Sequence, residues 1–149
     1  MPPTGKVIAH PWGVRRPVAF SLLLLLIACG GKTADEKLIK DIQPSISWVA
    51  TLQFTAEEWR AKKIPDLYVR LVLKEAEKAF DNAARTISQS QASKTLRDVI
   101  EREIAHSRVA ANQLKQAVEK GDRDTAGHAL QQFAAANTVL QRLHQQENK

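Results

Sequence analysis

The sequence predicts an all-α fold, an antiparallel up-down four-helix bundle set behind a cleaved signal peptide. Three observations predict it. Apolar residues recur at steps of three and four through four long stretches of residues 34–149. Short breaks carrying Pro65, a Ser- and Gln-rich run and Gly121 separate those stretches, so successive helices fold back on one another. No stretch shows the period-two alternation, rich in Val, Ile and Thr, of a half-buried strand. A length of 149 residues suits one domain.

The first element is a leader. A long, positively charged opening ends in Val14-Arg15-Arg16-Pro17, the apolar run Val18 to Ala28 follows, and then Cys29-Gly30-Gly31. Positive charge, a short apolar run and small residues at a cut are the parts of an export signal. The run is too short to span a bilayer, which takes about 20 apolar residues. Arg15-Arg16 also suits twin-arginine export, but its flanks fit poorly, and general secretion is expected.

The junction Leu26-Ile27-Ala28-Cys29 resembles the lipobox of bacterial lipoprotein precursors. The resemblance implies a diacylglycerol thioether on Cys29, cleavage between Ala28 and Cys29, and often acylation of the new amino terminus. Gly30, not aspartate, follows the cysteine; in a host with two membranes this implies passage to the outer membrane. The expected address is therefore the cell membrane or outer membrane, with the domain facing the periplasm or exterior. Several acyl chains give stable attachment where one gives only marginal binding. The resemblance covers about a fifth of the chain and leaves the domain behind it unassigned. Cys29 is the single cysteine, so no intramolecular disulfide is available to the fold. The expected organisation is a signal peptide over 1–28, a lipidated cysteine and tether over 29–33, and a bundle over 34–149.

Thr33-Ala34-Asp35-Glu36 has the form of a capping box, with Leu38, Ile39 and Ile42 behind it at helical spacing. Pro44 cannot continue a regular helix, so a kink or fresh start is expected there. Two readings of the preceding segment stay open. It packs on the bundle as a short extra helix, or it docks on lipid or in a partner's groove through Leu38, Ile39 and Ile42. Ser45 to about Lys62 places Val49, Leu52, Ala56 and Trp59 on one stripe, with Trp48 alongside. Pro65 suits the first position of the next helix, whose expected face is Tyr68, Leu71, Val72, Ala76, Ala79, Phe80, Ala83 and Ile87. Ser88 to Ser93 reads as a loop. A third helix to Lys120 carries Leu96, Ile100, Ile104, Ala111, Leu114 and Val118. Lys120-Gly121-Asp122 stops it and opens the fourth, with Ala126, Leu130, Phe133, Leu140 and Leu143 inward and Asn137 within that stripe.

Charge and motifs narrow the function. Of the formal +6, half belongs to Lys6, Arg15 and Arg16 in the leader, which holds no acid. The remainder is nearly balanced and lacks the clustered basicity of a nucleic-acid binder. Glu103-Ile104-Ala105-His106 is a single Glu-x-x-His step, whereas di-iron bundles use two with further inward carboxylates. Glu103 and His106 are therefore expected as solvated flank residues. Covalent haem attachment lacks its Cys-x-x-Cys-His, the only methionine is Met1, and His106 and His128 miss a common height by about 12 Å. No hydrolase elbow or phosphate-cradling loop occurs. Trp48, Trp59 and Tyr68 are the candidate ligand-stacking aromatics, with core packing the alternative. The expectation is a non-enzymatic, lipid-anchored binding or scaffolding module without a cofactor or metal. Its partners would be membrane lipid through Cys29 and another envelope protein, with no nucleic acid. The alternative is a bundle binding a small ligand, metal or haem.

Overall fold

The computed structural model describes residues 33–147, and among them the fold is all-α, with five helices and no strand. The expected signal peptide, the cleavage pair Ala28 and Cys29, and the tether as far as residue 32 lie outside the described residues. The helices are α1 (Ala34–Asp41), α2 (Gln43–Arg60), α3 (Asp66–Gln89), α4 (Lys94–Lys120) and α5 (Arg123–Glu147). None is long and apolar enough to cross a membrane.

Local chemistry explains each boundary. The Thr33 hydroxyl accepts from the Glu36 N–H at 3.2 Å and the Glu36 carboxylate accepts from the Thr33 N–H at 3.1 Å, closing the capping box. Only Ile42 separates α1 from α2, and Pro44 sits in the first turn of α2, where a missing N–H costs nothing. Pro65 holds the N-cap of α3 in extended backbone, one position before the first helical residue. Ser93 caps α4, and its N–H and hydroxyl also donate to the Asp35 carboxylate at 2.6 and 2.9 Å. That clasp pins the start of α1 to the start of α4.

Gly121 ends α4 with φ 68°, the left-handed region that glycine enters without strain. Asp122 then accepts from the Asp124 N–H at 3.0 Å, the Thr125 N–H at 3.0 Å and the Thr125 hydroxyl at 2.6 Å. The Thr125 hydroxyl and then the backbone N–H groups stabilise the charged form and hold this carboxyl below the ordinary aspartate value of 3.8. A depressed value means that the cap's stabilisation is whole above 3.8 and is lost as pH falls through the folded-state value. Acidification through that window is expected to lower the melting temperature of the native chain more than that of Asp122→Asn, whose cap needs no ionisation. Parallel acid melting curves for the two would refute this.

The four long helices surround one core. The main contacts run around the ring: α2 lies against α3 and α5, α4 lies against the same pair, and α2 and α4 meet more sparsely across the middle. Ile46, Val49, Leu52, Ala56 and Trp59 of α2 meet Val69, Ala76 and Phe80 of α3, Ile100 and Leu114 of α4, and Phe133 and Leu140 of α5. The face of α3 differs from the expected one at its start. Tyr68 and Leu71 are exposed, at 48% and 55%, while Val69 and Leu73 are buried in their place. Six of the first eight residues of α3 are apolar, so two stripes were available. The Trp59 indole N–H donates to Asp66 at 2.7 Å, at the first residue of the helix, and so helps to fix its rotation.

α1 packs on α5, α3 and α2. Leu38, Ile39 and Ile42 are 1%, 7% and 1% exposed. The docking reading of this stripe is corrected to that extent: in the folded domain its apolar groups cover the bundle, as a short extra helix, and are not exposed.

Candidate functional site

The seams between neighbouring helices are unequal. α4 and α5 make the most extensive contact. Fully buried Ala110 and Ala117 on one helix and Ala129 and Ala136 on the other let their backbones approach closely. α3 and α4 make the sparsest contact of the four neighbouring pairs. The unfilled space is a groove of about 400 Å³ along α3 and α4, within the range of small-ligand clefts. Leu73, Phe80 and Ala111 form its apolar floor. Arg70, Lys74 and Glu77 rim it from α3, and Arg108, Asn112, Lys115 and Glu119 rim it from α4.

Four cations therefore face two carboxylates in the groove. Arg108 is engaged, donating to Asp81 at 2.7 Å and closing one end. Among the described residues Arg70, Lys74 and Lys115 have no carboxylate partner. No sequence pattern marks these residues. Arg70 and Lys74 lie one turn apart on α3 and Lys115 lies on α4, and only the relative placement of the two helices brings them together.

A second groove of about 360 Å³ runs between α4 and α5, lined by Glu103, His106, Val109, Gln132, Ala135 and Ala136. Its Glu103 is 7% exposed, which corrects the expectation of a solvated residue. The carboxylate accepts from Arg102 Nε at 3.2 Å and lies 3.6 Å from His106 Nδ1, so its charge is balanced locally. Among the described residues no three His, Cys, Asp or Glu side chains gather as a metal site requires.

The three candidate aromatics do not share a platform. Trp59 is buried, Trp48 is partly buried against the core and Tyr68 is exposed. Trp48 precedes Trp59 on the same helix by about 16 Å at 1.5 Å per residue. Trp59 instead anchors a corner. Besides its bond to Asp66, it carries the Arg123 guanidinium 4.5 Å above its ring, and Arg123 also donates to the Trp59 carbonyl. Arg60 Nε in turn donates to the Arg123 carbonyl at 3.2 Å. This set joins the end of α2 to the starts of α3 and α5. Asn137 donates to Gln53 Oε1 at 3.1 Å, an interhelical bond within the expected stripe.

Set against known protein families, curated proteins and solved structures, the chain matches none.

Proposed function

We propose that this chain is the precursor of a lipoprotein, exported, cut between Ala28 and Cys29 and held to the cell membrane or outer membrane by lipid on Cys29. Its domain is a non-enzymatic binding module of the cell envelope, built as an antiparallel up-down four-helix bundle with α1 as a short addition. The observation that carries the reading is the order Arg15-Arg16, apolar run, Leu26-Ile27-Ala28-Cys29.

The bundle topology is supported by bonds whose residue numbers run in opposite directions along neighbouring helices. Trp59 meets Asp66 while Ser45 donates to the Ala79 carbonyl at 3.0 Å. Arg60 meets Arg123 while Gln53 meets Asn137. Binding as the mode of action is supported by the α3–α4 groove, where apolar floor and unpartnered cations lie together. That groove also favours the alternative of a small-ligand binder over a scaffold that only holds a protein partner.

The test of the anchor is Cys29→Ala. The variant is expected to lose acyl labelling completely and to accumulate as uncleaved precursor, since the thiol is the acceptor. Acyl labelling equal to that of the native chain would overturn the reading.

A further inference from the structure

We propose that the α3–α4 groove binds an amphipathic anion, with a carboxylate or phosphate head clamped between Lys74 and Lys115 and an alkyl chain laid over Leu73, Phe80 and Ala111. The inference rests on the antiparallel bundle and on the groove as its binding face.

The Arg108–Asp81 pair at 2.7 Å fixes the register of the seam. Antiparallel helices advance oppositely by 1.5 Å per residue, so equal steps from that pair reach residues at one height. Counting back along α3 and forward along α4, Glu77 comes level with Asn112, Lys74 with Lys115, and Arg70 with Glu119. Three rungs are thus neutral overall or singly charged, and one places Lys74 and Lys115 at the same height about 10 Å from the Arg108–Asp81 pair. That rung adds nothing to the fold. Neither lysine has a carboxylate partner among the described residues, and like charges across a seam repel.

An anion between the two ammoniums turns repulsion into two charge-assisted contacts, with three N–H donors available from each lysine. Lysine acts as a point charge without the planar fork of arginine, so it accepts carboxylate and phosphate alike. The carboxylates of Glu77 and Glu119 on the flanking rungs repel an anion and confine it to the lysine rung. A bare inorganic anion would leave the apolar floor unused; an alkyl chain running from the lysine rung toward Phe80 covers it.

The test uses the full chain in phosphatidylcholine nanodiscs, with the lysine ammonium signals followed by nitrogen NMR. Decanoate and decyl phosphate are the probes, and decanol and inorganic phosphate the controls. Saturable shifts of Lys74 and Lys115 are expected with at least one probe, and the tighter of the two identifies the head group. Decanol and inorganic phosphate are expected to bind at least tenfold more weakly. Both lysines are exposed, so Lys74→Gln/Lys115→Gln is expected to keep native helicity and lose at least tenfold in affinity. Decanol binding as tightly as decanoate, or unchanged affinity in the double variant, would overturn the proposal. If an acidic helical peptide alone shifts the groove signals, the amphiphile falls and the groove stands as a binding face. If no probe moves any groove signal, both fall, while the lipid anchor is decided separately at Cys29.

Discussion

Replacing Trp59 with alanine is expected to cost about 3–5 kcal/mol of stability, the range for truncating a large buried aromatic. Trp59 is 1% exposed and is among the largest fully buried side chains. Its removal opens a cavity at the meeting point of α2, α3 and α5. It also leaves Asp66 without its indole donor and Arg123 without the ring beneath it. Trp59→Phe separates these effects. It keeps most of the packing and loses the N–H donor, so about 0.5–1.5 kcal/mol is expected. Trp48→Ala, at a partly buried position, is expected to cost less than Trp59→Ala. Urea midpoints at constant slope measure all three. A loss below about 1 kcal/mol in Trp59→Ala would contradict the corner's place in the core.

Changing Leu38 and Ile42 together to serine is expected to remove about 3–6 kcal/mol of burial, taking 1.5–3 kcal/mol for each fully buried side chain. The observed destabilisation is capped by the docking energy of α1, because a terminal helix can open locally while the rest stays folded. The signature is therefore regional. Amide exchange in α1 is expected to become fast while α2 to α5 keep their protection, and the melting temperature falls. Native exchange rates in α1 of the double variant would show that its stripe is not what holds it.

Much of this architecture was legible because its punctuation is local. Thr33, Pro44, Ser93 and Gly121 act within a turn of themselves, and the boundaries they predict stand within a residue or two of those observed. Facing was less legible. Tyr68 and Leu71 fit a helical stripe as well as Val69 and Leu73 do, and the choice between them depends on Asp66 meeting Trp59 from another helix. Glu103 was expected in solvent because a carboxylate usually is. Ala135 and Ala136 on α5 permit the approach that covers it. The α3–α4 groove had no local sequence signal, since its lining comes from two helices whose relative placement no single segment encodes. Leu38, Ile39 and Ile42 show the converse: their spacing was evident, but what they cover was not.

The clasp between Asp35 and Ser93 gives the domain a defined load path. Tension applied at Thr33 meets the capping-box bonds to Glu36 and then the two clasp bonds at 2.6 and 2.9 Å before it reaches the packed core. Once those bonds yield, α1 can peel away from one end as Leu38 and then Ile42 leave their places in turn. Its 8 residues occupy about 12 Å as helix and reach about 26–29 Å when drawn out. Were the chain held at Cys29 as proposed, unwinding α1 would let that point travel by roughly 15 Å at the cost of one short helix.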